Sequence, residues 1–218
     1  VSLNASSFKR AVTVPSPSET DIKKAAEIIN ASERPIIYAG GGVKISGAEK
    51  ELLELAEKAS IPVSQSLMGR DVFPSSHPLC TWMVGMHGTY ASNMGITEAD
   101  LVIAIGARFS DRVYGDASKF AERAKILHID IDPAEINKNI CTDASVVGDV
   151  KDVLSKLIPL VNKNEHKEWL GRINEWKKTY PSCYDKNPKD SINPKFICEH
   201  IHEVAGDDCF ITTEVGQH

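Results

Sequence analysis

Long apolar runs are missing from this sequence. No stretch of its 218 residues reaches the roughly 18 to 20 consecutive apolar positions that a membrane-crossing helix requires, and the opening VSLNASSFKR has no signal-peptide core. An excess of positive charge is missing too. The formal net charge is -5 and the pI is near 5.8, so no basic footprint argues for nucleic acid. Cysteine is sparse and unpatterned: Cys80, Cys141, Cys183, Cys198 and Cys209 form no C-x-x-C pair. An odd, scattered set excludes a disulfide framework and points to reduced, mostly buried thiols in a cytoplasmic protein. No phosphate-binding P-loop, nucleophile elbow or zinc spacing occurs. The dinucleotide fingerprint also fails, because GGGVKISG does not have G-x-G-x-x-G spacing and the next strand, IPVSQS, ends without the acidic residue that an adenine ribose needs. An ordinary NAD dehydrogenase is thereby disfavoured. His200 and His202 lie about 200° apart around a helix and cannot share a metal ion.

What is present is a soluble-type composition, 42% hydrophobic and 25% charged, with βα alternation from residue 21. Helical spacing covers 21–32 and 47–60, the second with Leu52, Leu53, Leu55 and Ala59 inward. Short continuous apolar runs at 35–40, 61–66, 101–106, 124–132 and 144–149 read as strands covered on both faces. Asp132-Pro133 reads as a helix N-cap with proline at the first helical position, and Asp149 as the cap of a helix over 150–161. Repeated βα units predict an α/β fold with a doubly wound, mostly parallel sheet and helices on both faces. The expected organisation is a linker over 1–20, an α/β domain over 21–161, a connecting helix and linker over 162–190, and over 191–218 the opening helix and strand of a further domain. The late elements, a helix at 193–205 and a strand at 209–218, cannot bury themselves and suggest a piece of something larger.

In such a sheet, ligands sit beyond the carboxyl ends of the strands. Found there are Gly40-Gly41-Gly42, Ser66-Leu67-Met68, Gly106 through Arg112, Asp130 through Asp132 and Gly148 through Val150, together with VGMHGTYASN, whose Gly88-Thr89 opens a helix. Glycines allow close backbone approach, helix N-termini offer N–H groups to a diphosphate, arginines pair with phosphate oxygens, and carboxylates accept from sugar hydroxyls. Plainer readings stand beside these. The glycine triplet is also a tight turn, His87 a hydrogen-bonded structural histidine, and Asp132 a cap. Arg108 and Arg112 are equally suited to surface ion pairs with Asp111 or Asp116.

Taken together, YAGGG, SLMG, GMHGTYASN, ADLVIAIGARFSDR, HIDIDPAEINKN, GDV and TTEVGQH resemble, in order and spacing over residues 20 to 218, the catalytic large subunits of the acetohydroxyacid (acetolactate) synthase family of thiamine-diphosphate enzymes. Pyruvate oxidase and glyoxylate carboligase types share the layout. A non-catalytic nucleotide-binding module is the rival from another class.

The resemblance implies a central Rossmann-like domain that binds FAD, through Gly41, Ser66, Leu67, Val84, Gly85, Met86 and His87. It also implies Gly106, Ala107, Arg108, Phe109, Ser110, Asp111, Arg112, Asp130, Ile131, Asp149 and Val150. Position 110 is serine where some relatives carry aspartate. Asp111 would orient Arg112 or accept a flavin-side hydroxyl. Val215, Gly216, Gln217 and His218 would form part of a thiamine-diphosphate site. The implied reaction joins two 2-oxo acids, pyruvate with pyruvate or 2-oxobutyrate, with loss of CO2, using thiamine diphosphate and Mg²⁺. The implied assembly is a homo-oligomer with a regulatory small subunit. No residue of these 218 is expected to be catalytic, since the activating glutamate and the Mg²⁺ motif lie elsewhere in the family.

Overall fold

The computed structural model describes residues 14–181, 194–206 and 208–212. Two compact units divide the chain, at Tyr180 and Pro181. Among the described residues of the first unit, six strands form one all-parallel sheet in the order β3-β2-β1-β4-β5-β6. These are β1 (Pro35–Ala39), β2 (Val63–Gln65), β3 (Cys80–Met83), β4 (Leu101–Ile105), β5 (Lys125–Asp130) and β6 (Ala144–Val147). The strand order reverses between β1 and β4, which pair in register from Pro35↔Leu101 to Ala39↔Ile105. That is the topological switch point, where adjacent crossovers leave to opposite faces and open a crevice.

The continuous apolar runs explain the sheet. All five residues of β1 and of β4 are buried, and alternate side chains go to opposite faces. Ile37, Ile103, Ile105, Leu127 and Ile129 join one core with α1 (Glu19–Ala31), α3 (Glu49–Ala59) and α6 (Val150–Leu157). Ile36, Tyr38, Val102, Ala104 and Ile126 join the other with Ile96 of α4 (Tyr90–Glu98). α1 begins at Glu19, two residues before the expected start, because Ser18 caps it by accepting the Asp21 N–H. In α3, Leu52, Leu55 and Ala59 are buried as expected, and Leu53 packs partly buried against the same core.

Several expectations need correcting. β3 and the short α2 (Gly41–Ser46) are additional elements. β3 carries a bulge, since Val63 faces Cys80 while Ser64 faces Trp82, so Thr81 is extra and the period-2 pattern is lost. Asp132-Pro133 opens no helix. The Asp132 carboxylate accepts the Ala134 N–H at 2.9 Å, and the turn closes at Asn137, whose φ of 60° leaves the helical region. The helix after Asp149 is α-helical only to Leu157 and then tightens into a 3-10 turn, Ile158–Leu160, at the proline.

Residues 162–180 belong to the first unit and not to a connector. Within them α7 (Lys167–Thr179) buries Trp169 and Ile173, and the Trp169 indole donates to the Pro35 carbonyl at 2.9 Å. The thiols are not mostly buried: of the four described cysteines only Cys80 is, whereas Cys141 follows an exposed turn. Cys183 lies outside the described residues.

In the second unit α8 (Pro194–Ala205) forms as expected. Residues 209–212 adopt no strand; a strand needs a hydrogen-bonded neighbour, and none pairs with it among the described residues. Residues 213–218 lie outside the described set. None of the described helices is long and apolar enough to cross a membrane.

Candidate functional site

Because all six strands run the same way, the segments that follow them crowd one edge of the sheet. Gly40–Gly42 follows β1, residues 66–68 follow β2, 84–88 follow β3, 106–112 follow β4, 131 follows β5 and 148–150 follow β6. Each FAD-site residue expected from the sequence falls in one of these segments or, for Asp130, at the last position of its strand. The four expected thiamine-diphosphate residues, Val215 to His218, lie outside the described residues.

Close backbone packing holds the segments together. Gly106, at φ 54°, turns the chain out of β4, and its carbonyl accepts the Gly42 N–H at 2.9 Å. A Cβ on Gly42 would lie 2.7 Å from the Gly106 Cα. The glycines at the switch point therefore let two strand-end turns approach one another, which is the tight-turn role; contact with a ligand is a second use. The 84–88 segment leans on the next one in the same way. Gly85 has φ 108°, a Cβ there would meet the Arg112 carbonyl oxygen at 2.6 Å, and the Met86 N–H donates to that carbonyl at 3.0 Å. Thr89 caps α4 by accepting the Ser92 N–H at 3.1 Å, as the sequence suggests for a helix opening at Gly88-Thr89.

The side chains at this edge divide into three sets. Val84, Ala107, Phe109 and Val150 are buried in the core, so only their main chains are at the edge. Leu67, Met68, Met86 and Ile131 are exposed apolar chains, at 69%, 76%, 63% and 43% of their full area. Ser110, Asp111, Arg108, Arg112 and His87 are exposed polar ones. Among the described residues neither Arg108 nor Arg112 pairs with a carboxylate. Asp116 pairs with Lys119 instead, and Asp111 accepts the main-chain N–H of Arg112 at 3.0 Å and not its guanidinium. The surface ion-pair reading of the two arginines is not realised.

The two strand-end carboxylates are committed inward. Ser46 Oγ lies 2.8 Å from both oxygens of Asp149, whose Oδ1 also accepts the Lys151 and Asp152 N–H groups at 3.0 and 3.2 Å. Asp149 is thus the cap of α6. Asp130 accepts the Asp132 N–H at 2.9 Å and faces the buried His128, 3.7 Å away. Burial works to raise the Asp130 carboxyl, but the His128 ring facing it and hydrogen bonds from main-chain N–H groups outweigh it and hold the group below the usual carboxylate range.

His128 in turn donates to the Ala107 carbonyl at 3.0 Å, and Asn139 donates to the Phe109 carbonyl at 2.6 Å. These two supports of the 106–112 segment were not apparent in the sequence; Asn93 supports the neighbouring 84–88 loop, through Gly85. Asn93 alone had a visible signal, an amide side chain one helical turn inside the GMHGT helix start.

Two exposed arginines on one strand-end segment, with exposed apolar side chains on the other segments of the same edge, suit a ligand with an anionic centre and flat apolar ends. No group of three or more His, Cys, Asp or Glu side chains among the described residues could hold a metal ion.

Comparison with known proteins places this arrangement. The chain is 52% identical over 206 residues to the "Probable acetolactate synthase large subunit" of Methanocaldococcus jannaschii, covering 90% of this chain and 35% of that protein. It is 42% identical over 208 residues to the "Acetolactate synthase" of Mycobacterium bovis, covering 93% and 34%. The chain therefore spans about a third of the length of these relatives. An X-ray structure assigned to a thiamin diphosphate-dependent enzyme from Mycobacterium smegmatis superposes with a TM-score of 0.61 at 32% identity, over 72% of this chain and 30% of that one. The family model "Thiamine pyrophosphate enzyme, central domain" matches residues 22–157, which run from α1 to the end of α6 and take in every strand of the sheet. With most of its length and its whole sheet inside that match, the chain belongs to the thiamine pyrophosphate enzyme family and carries its central domain.

Proposed function

We propose that this chain is the FAD-carrying central domain of an acetolactate synthase large subunit, working with thiamine diphosphate and Mg²⁺ on 2-oxo acids. The observation that carries the flavin part is that Arg108 and Arg112, exposed and without a carboxylate partner among the described residues, share the carboxyl edge of the sheet with the exposed Leu67, Met68, Met86 and Ile131. Arg108 and Arg112 would hold the diphosphate. The exposed apolar chains would cover the rings, and the main chain at Gly41, Ser66, 84–87, 106–110, 130–131 and 149–150 would frame the cofactor. Asp130 and Asp149, engaged inward, would act through their main chains.

Thiamine diphosphate supplies the electron sink for decarboxylating the first 2-oxo acid, while in the proposed carboligation FAD has no net redox part. The acetolactate assignment rests on relatives whose names carry it. A large-subunit identity brings with it a regulatory small subunit, assembly with further copies, and a cytoplasmic setting.

Fluorescence titration tests the site. FAD should bind and be quenched, riboflavin should bind far more weakly because it lacks the diphosphate, and NAD should not compete. Equal affinity for FAD and riboflavin would contradict the arginine reading, and NAD displacing FAD would favour a general nucleotide module.

A further inference from the structure

Asn93 stands on the first turn of α4, outside the residues assigned to the flavin. Its carboxamide oxygen accepts the Gly85 N–H at 2.9 Å, and its amide nitrogen donates to the Gly85 carbonyl at 3.1 Å. One side chain thus satisfies both main-chain groups of one glycine. The match works in one orientation only, since turning the carboxamide over would set donor against donor and acceptor against acceptor. Gly85 is also where the 84–88 loop touches the arginine segment, and the next N–H, that of Met86, donates to the Arg112 carbonyl at 3.0 Å. A continuous path therefore runs from Asn93 through Gly85 and Met86 to Arg112.

Asn93 is not needed to hold its own helix. Thr89 and Ser92 do that, each placing a hydroxyl 2.6 Å from the Thr81 carbonyl. Ser92 adds a contact of 2.9 Å to the Thr81 hydroxyl.

We propose that Asn93 is a positioning residue for the anion-binding arginine segment. By fixing the peptide groups on both sides of Gly85, it sets the 84–88 loop against the Arg112 carbonyl, and so sets the spacing between the two strand-end segments that would flank the cofactor's diphosphate. The ligand half of this inference rests on the flavin reading; the positioning half is a property of the free chain.

The test compares the 218-residue chain with N93A and N93D. In N93A, amide hydrogen exchange at Gly85 and Met86 should quicken about tenfold or more, while exchange in β4 stays as it was. N93D, which keeps the acceptor but loses the donor, should fall between. FAD affinity should drop about tenfold in N93A, and the loss in N93A/R112A should be smaller than the product of the single losses, because the two act along one path. Unchanged exchange at 85 and 86 would overturn the proposal, as would multiplicative losses. Acceleration throughout the chain, β4 included, in both variants would overturn it as well by making Asn93 a residue of global stability. If the parent chain shows no FAD binding, the flavin reading fails, and exchange at Gly85 and Met86 still decides the positioning.

Discussion

Arg108 and Arg112 leave a strand whose five residues are wholly buried and enter solvent without a carboxylate partner among the described residues. A charge-assisted contact to phosphate is worth about 1.5 to 3 kcal/mol, so Arg108→Ala should weaken FAD binding roughly tenfold or more. The fold should be unaffected, and circular dichroism should match the parent. Affinity unchanged on titration would leave Arg108 an ordinary surface cation.

A second consequence at this scale concerns Tyr38. It is buried on β1 beside Phe109, ring centroids 5.9 Å apart, and burial pushes its phenol from 10.0 up to about 12. The folded state favours the neutral form, so this contribution is complete below about pH 10 and is lost as the pH rises toward 12. With each pKa unit worth about 1.4 kcal/mol, the whole contribution is roughly 3 kcal/mol. Denaturant melts across that alkaline window should show the parent losing more stability than Tyr38→Phe; parallel curves would mean that the phenol ionises without disturbing the core.

Individual site residues were legible in the sequence by position more than by use. The strand-end rule put Asp130 and Asp149 at the edge, and Asp149 caps α6 as its place before VKDVLSKL suggests, yet nothing in HIDID shows that Asp130 faces a buried histidine.

Among the elements, β1 and β4 were legible because five residues in a row without a charged or amide side chain, PIIYA and LVIAI, admit little else in an α/β chain. β3 was not, since its bulge at Thr81 breaks the alternation and Pro74 and Pro78 blur its start. α2 was hidden by its own first residues, Gly41-Gly42, which read as turn. The most consequential difference is α7. Its polar sequence, KEWLGRINEWKKT, looked like a connector, but Trp169 is 3% exposed, donates to Pro35 and stacks edge-on against Trp176 with centroids 5.9 Å apart. Ile173 is buried alongside.

Removing a buried tryptophan costs about 3 to 5 kcal/mol. Trp169→Ala should therefore lower the stability measured by denaturant melts strongly, and Trp169→Phe, which loses the indole hydrogen bond, should lower it by about 1 kcal/mol or more. A chain ending at residue 161 should melt earlier than one ending at 181. Equal melting of those two chains would return α7 to the role of a linker.

For the molecule as a whole, the all-parallel order with a reversal between β1 and β4 is what gathers six separate segments at one edge. A chain that spans about a third of its acetolactate synthase relatives should not condense pyruvate alone. Supplied with thiamine diphosphate, Mg²⁺ and FAD, it should yield no acetoin on acidification above a protein-free control; product above that control would mean that the catalytic groups are within these residues.

The central claim is that the strand-end segments form one flavin site, and hydrogen exchange of the chain with and without saturating FAD tests it most directly. The account predicts slower exchange confined to residues 40–42, 66–68, 84–88, 106–112, 130–131 and 148–150. Protection elsewhere on the sheet, or none at FAD concentrations that quench its fluorescence, would contradict it.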